Sequence, residues 1–337
     1  MKRLGLVLLI LVLVAGCNRR PINSVAASNR PRDLPTVQTV EEEQPTEPER
    51  EIDGTLTEAR RGFKTRLQRK ERDGTPPDSP PPNIFHLVKY ASPAGKLAAY
   101  LSVDPGDGKK HPAIIWIFGG FTNSIGSTAW GEQPAKNDQS ASAFRKAGIV
   151  MMYPSLRGGN DNPGVKESFF GEVNDVLAAR DFLAQQSFVD PERIYLGGHS
   201  TGGTLALLAA ECSDRFRAVF SFGPVDDVTG YGDKVLVFDV NNKREVRVRA
   251  PEHWLASIHS PTFVFEGTET PGNISALESM SQASNNSNIH FYPIRGGTHF
   301  TILAPTTKLV AARILRDTGE KCSIRFNEAD LRKPFGK

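Results

Sequence analysis

Ser200 stands in Gly198-His199-Ser200-Thr201-Gly202, a G-x-S-x-G string set between the apolar run Ile194 to Gly197 and the apolar run Thr201 to Ala210. A serine in so tight a strand-to-helix turn is held at a strained backbone angle with its hydroxyl lifted clear of the sheet, as a nucleophile requires. Glycine is expected at 198 and 202 because a Cβ at either position would strike the adjoining strand or helix. The helix that follows points its N-terminus at the oxygen that turns negative when a carbonyl is attacked. The hydroxyl also needs a base, and in this strand-turn-helix arrangement the histidine comes last in chain order, after the final strand. His299 is there, behind the run Phe291 to Ile294 and the loop Arg295-Gly296-Gly297-Thr298. His86, His111, His253, His259 and His290 lie in or beside strands without that context, and His199 reads as filler inside the elbow. An oxyanion site takes two backbone amides. Thr201 supplies one, and the second is expected from Phe121 in the loop Phe118-Gly119-Gly120-Phe121.

These groups must be carried by strands that end at one edge. Phe85 to Tyr90 and Leu97 to Val103 read as two strands around the turn Ser92 to Gly95, and Ala113 to Phe118 is the continuous apolar run of a parallel strand buried on both faces. Helix (140–147), strand (149–153), helix (173–186), strand (194–197) and helix (201–210) follow. Strands over 218–222 and 262–265, a helix over 276–283, a strand over 289–293 and a helix over 305–315 complete the rhythm. That alternation predicts an α/β fold with a doubly wound, mostly parallel sheet. Residues 226–255 interrupt it with a polar insertion whose Tyr231 to Val248 stretch alternates as strands do, the place for a small cap. Arg157, Tyr231 and Trp254 are candidates for lining a substrate pocket, or for packing.

Residues 85 to about 315 resemble the catalytic domain of the prolyl oligopeptidase (S9) branch of the α/β hydrolases. The resemblance is carried by the strand into Phe118-Gly119-Gly120-Phe121, by Tyr153-Pro154-Ser155-Leu156-Arg157-Gly158-Gly159, by Phe170-Gly171-Glu172-Val173-Asn174-Asp175, by Val189-Asp190-Pro191-Glu192-Arg193-Ile194 leading into the elbow, and by Pro261 before the next strand. It implies that Ser200 and His299 are catalytic. Two features depart from the family. Upstream lies only a tether where the family carries a β-propeller, so restriction to short peptides is not implied. The family's His-Gly-x-x-Asp is replaced by Glu266-Gly267-Thr268-Glu269-Thr270. A carboxylate is wanted to fix the imidazole tautomer and stabilise its charged form. Glu269 lies nearest the expected position, with Glu266, Asp226 and Asp227 as alternatives.

Lys2 and Arg3, the apolar stretch Leu4 to Val14 and the small pair Ala15-Gly16 read as an export signal over residues 1–16. Val14-Ala15-Gly16-Cys17 resembles the bacterial lipobox, which implies lipidation of Cys17 and anchoring to a membrane in the cell envelope, on the periplasmic face of the outer membrane if the cell is Gram-negative. Residues 17–82 hold ten of the 24 prolines and few apolar side chains, so they are expected to be a disordered tether, its acidic block (41–53) followed by a basic one (60–72). That basic block, with Phe63 and Leu67 as anchors, would alternatively dock on the domain, which spans 83–337. For Cys212 and Cys322 the sequence leaves two readings open, pairing in an oxidising compartment or two buried free thiols. A net charge of +3 without a basic, aromatic-studded stripe argues against nucleic acid. No cofactor and no metal is required. The expected activity is hydrolysis of an ester or peptide bond through an acyl-enzyme. The alternative is a catalytically inactive binding module of the envelope.

Overall fold

The computed structural model describes residues 54–336. Residues 1–53, on which the expected export signal, the expected lipidation of Cys17 and most of the expected tether fall, lie outside the described residues. Eight strands form one sheet in the order β1-β2-β4-β3-β5-β6-β7-β8. They are β1 Phe85–Ser92, β2 Gly95–Ser102, β3 His111–Ile117, β4 Val150–Pro154, β5 Val189–His199, β6 Val219–Phe222, β7 Thr262–Glu269 and β8 Ile289–Thr298. The hairpin β1–β2 is antiparallel, as is the pairing of β2 with β4. All pairings from β4 across to β8 are parallel.

The helices are α1 Leu56–Arg60, α2 Ala143–Lys146, α3 Glu172–Ala184, α4 Thr201–Cys212, α5 Lys243–Arg247, α6 Ile274–Ala283, α7 Leu303–Arg316 and α8 Glu328–Arg332. They divide between the two faces of the sheet because strand side chains alternate. Ile115 and Ile117 of β3 join the core under α3, α4 and α6, while Ile114 and Trp116 join the core shared with α7. Central strands are therefore apolar at successive positions, which is why β3 and β4 read so plainly as buried parallel strands.

Three expectations need correction. Residues 54–82 are packed, not a tether. Thr55 and Glu58 close a capping box on α1, whose Leu56 is fully buried. The Arg60 guanidinium then donates to the carbonyls of Phe169, Phe170 and Val248. Further along, Thr65 and the Arg66 amide donate to Glu245, Leu67 bridges to Phe238, and Asp73 accepts from the Ser124 hydroxyl. Few apolar residues are needed because charged side chains and main chain supply the bonds. The insertion carries no named strand. Its Leu236, Val237, Phe238 and Val248 are buried among short turns and α5. The helix expected over 140–147 shortens to α2. Both Cys212 and Cys322 are free.

Candidate active site

Ser200 sits at the junction of β5 and α4 with φ 55° and ψ −118°, a conformation that non-glycine residues adopt only when the surroundings impose it. The surroundings do. A Cβ on Gly198 would lie 2.3 Å from the Gly202 carbonyl oxygen, and one on Gly202 2.2 Å from that of Ile117. The Ser200 amide donates to the Phe222 carbonyl at 2.7 Å, pinning the elbow to the end of β6.

His299 follows β8 and is 7% exposed. Its Nδ1 lies 2.8 Å from Oε2 of Glu266, which is wholly buried. A carboxylate only accepts, so Nδ1 carries a proton, and in the neutral ring Nε2 is then the nitrogen with the lone pair. Glu266 is fixed in turn by the amides of Gly267 (2.7 Å, to Oε1) and Asn273 (3.3 Å, to Oε2). Glu269, the position expected for the acid, does not reach the imidazole. It is exposed and accepts from the Thr268 hydroxyl. The reason is that β7 runs on through Glu269, so the stretch expected to be a loop is strand: Glu266 lies in its buried part, and Glu269 lies at its exposed end, past an irregularity in the pairing with β8. Asp226 and Asp227 are likewise engaged locally: Asp226 accepts from the Asp227 amide, and Asp227 caps the turn at Thr229.

Gly223 ties the elbow to this pair. It follows Phe222, has φ +59°, and a Cβ there would come within 2.4 Å of the His299 ring and 2.7 Å of Glu266 Oε2. The C-terminal ends of β5, β6, β7 and β8 thus bring Ser200, Glu266 and His299 to one rim of the sheet. Thr201 is the first residue of α4, and its hydroxyl donates to the Gly120 carbonyl, fastening the loop that carries Phe121 to the elbow.

Two residues had no part in the expected site or only an open one. The Tyr231 hydroxyl lies 2.7 Å from Thr204 Oγ1. Burial, the largest influence, holds the phenol well above its ordinary range, so it stays a donor. Its ring stacks on Phe169 and meets Phe121 edge-on. His199 is more than filler. Its Nε2 is 3.0 Å from the His299 carbonyl, which can only accept, so Nε2 carries the proton and Nδ1 accepts from Gln139. The x of the elbow motif holds no signal for that bond, because its partner is a main-chain atom a hundred residues away. The other two pocket candidates are packing residues: Arg157 is bound to Asp175, and Trp254 is buried with its indole donating to the Arg247 carbonyl.

Burial, and after it the proximity of His299, pushes His199 down to a pKa of about 3 from 6.5. The unfolded chain takes up a proton near pH 6.5 that the folded one refuses, so this group's stabilising share is present above pH 6.5 and is lost as pH falls from there towards 3. Urea midpoints should therefore drop more steeply between pH 7 and pH 5 in wild type than in His199→Gln. Equal slopes would show that His199 is not held neutral.

Among the described residues no three His, Cys, Asp or Glu side chains gather as metal ligands. Residues 136–253 match the model of the prolyl oligopeptidase family. Prolyl oligopeptidase A of Amanita bisporigera is 29% identical over 112 residues, which are 32% of this chain and 13% of that protein. The chain therefore spans only a small part of the relative it matches. Among solved structures, a puromycin-hydrolyzing peptidase of Mycobacterium tuberculosis superposes with a TM-score of 0.57 at 18% identity, covering 72% of this chain and 40% of that one. An esterase of Pyrobaculum calidifontis gives 0.51 at 15% identity, covering 69% of this chain and 86% of that one. The chain folds as an α/β hydrolase. In this fold the elbow follows β5, the late histidine follows β8 and the glutamate lies within β7, and the segment 54–82 bonds to the loops at residues 124, 158–160 and 169–170.

Proposed function

We propose that the protein is a serine hydrolase of the S9 peptidase type that cleaves an ester or peptide bond through an acyl-enzyme. The observation that carries this reading is the 2.8 Å contact of His299 Nδ1 with buried Glu266 on the same rim as the strained Ser200 turn. In the mechanism, His299 Nε2 takes the Ser200 proton as Oγ attacks the carbonyl carbon, and Glu266 stabilises the imidazolium that forms. The amides of Thr201 and Phe121 receive the oxyanion. The imidazolium then gives its proton to the leaving amine or alcohol. Water enters, loses a proton to the same nitrogen, and releases the acid. The match of residues 136–253 to the prolyl oligopeptidase family supports a peptide as substrate, while the likeness to an esterase keeps esters within the reaction class.

A fluorophosphonate probe tests the reading. Wild type should be labelled on Ser200 and Ser200→Ala should not, whereas an unlabelled wild type would leave an envelope binding module in its place. The proposal includes anchoring through a lipid on Cys17, supported by Val14-Ala15-Gly16-Cys17. In a cell that processes lipoproteins, Cys17→Ser should move the protein from the detergent phase to the aqueous phase on Triton X-114 partition. Wild type already in the aqueous phase would remove the anchor.

A further inference from the structure

Beside the elbow lies a narrow, open-mouthed cavity of about 40 Å³. Gly120, Phe121 and Thr201 form one wall, shared with the loop and helix start assigned to the oxyanion, and Phe169 and Leu205 give it apolar flanks. Glu172, the first residue of α3, also lines it. An acid at such a place is unexpected, because a cavity built only to take an apolar side chain has no use for a buried carboxyl.

The Glu172 carboxyl is half satisfied. Oε1 accepts from Asn123 Nδ2 at 3.1 Å and from the Glu167 amide at 2.7 Å. Oε2 is buried and accepts from no protein group, in a residue only 2% exposed. The cations nearby are committed elsewhere. Arg157 is taken up by Asp175 and Glu167, and Lys166, on the cavity wall, donates to the Val235 carbonyl and to Glu71. A buried acceptor held in place by two donors but lacking a partner of its own is an arrangement completed by a ligand that brings a donor.

We propose that this cavity is a specificity subsite in which Glu172 Oε2 receives a substrate side chain ending in an N–H donor, either an ammonium or a primary amide. The inference rests on the reading of Ser200 as nucleophile and goes further by naming the substrate feature. Burial raises the carboxyl's pKa, opposed by the Glu167 amide and Arg157. An ammonium partner would offset that cost by charge, and an amide would do so by hydrogen bonding.

The test uses the 4-nitrophenyl esters of N-acetylnorvaline, N-acetylglutamine and N-acetylornithine, whose side chains are of similar length and differ in their ends. In wild type the better of the two donor esters should exceed the norvaline ester about tenfold or more in kcat/KM, the discrimination a site shows when a hydrogen-bond partner is missing. Ornithine ahead of glutamine identifies an ammonium, and the reverse order an amide. Glu172→Met should abolish the preference, with fluorophosphonate labelling of Ser200 reporting that the elbow is intact. If that variant is not labelled, Glu172→Gln, which keeps the volume, replaces it and should lose the ornithine preference or reduce the glutamine one. A labelled wild type that handles all three esters alike, or a labelled variant that keeps the preference, overturns the subsite. An unlabelled wild type overturns the nucleophile instead. The cavity is then read by melting-temperature shifts with n-butylammonium chloride and butyramide, where a shift in wild type lost in the variant supports the subsite and no shift overturns it.

Discussion

Replacing Glu266 by glutamine should lower kcat by about 10⁴-fold while the protein stays folded, the loss seen when a buried triad carboxylate becomes an amide. The geometry says why. Glu266 Oε2 accepts from His299 Nδ1, and an amide in its place can present an N–H to that nitrogen, turning the ring so that the proton sits on Nε2, where the serine proton must arrive. The imidazolium would also lose the carboxylate that contacts it. Glu269→Gln should leave turnover at the wild-type level, because Glu269 is exposed and its side chain reaches no farther than Thr268. Steady-state hydrolysis of a 4-nitrophenyl ester, with circular dichroism to confirm folding, separates the two. If Glu269→Gln were the crippled variant, or Glu266→Gln kept more than a tenth of the wild-type rate, the assignment of the acid would be wrong.

That one acid also marks where the sequence stopped being readable. The doubly wound sheet was legible because buried parallel strands must be apolar on both faces and the helices between them must not be. The Ser200 elbow was legible because both of its glycines and the serine fall within five residues, although the clash that demands Gly202 comes from Ile117 in β3. His299 could be found by order along the chain. The choice between Glu266 and Glu269 depends instead on where β7 ends, and no residue in Glu266-Gly267-Thr268-Glu269-Thr270 signals that end. Pairing with β8 as far as Thr298 decides it. The segment 54–82 was misread for a related reason. Its proline and charge content matches a chain that cannot bury itself, yet Arg60 and Thr65 find carbonyl and carboxylate partners supplied by residues 167–170 and 245–249. A composition rule weighs the segment alone and cannot see those acceptors. Tyr231 and His199 show the same limit at the site itself, since each acts through a residue distant in sequence.

The largest stability effect is expected at Arg157, where the sequence allowed a substrate contact. Its Nε and Nη2 clasp both oxygens of Asp175 at 2.9 Å, its own amide adds a third bond to the same carboxylate, and Nη1 reaches Glu167 at 2.6 Å. Asp175 is fully buried and also accepts from the Ser92 hydroxyl. One ion cluster therefore joins β1, α3 and the chain between β4 and α3, which bears Phe169 and leads into Glu172. Arg157→Met would keep most of the packing but strand Asp175 as a buried, uncompensated charge, and should cost about 3–5 kcal/mol of unfolding free energy. Asp175→Leu in the same chain should restore part of that loss, because it removes the uncompensated buried carboxylate and leaves only the neutral Arg157 amide and Ser92 hydroxyl without their acceptor. Urea denaturation of the single and double variants measures both values. A substrate-binding role would show the opposite pattern, with unfolding midpoints close to wild type, KM raised in Arg157→Met, and no recovery from the second substitution.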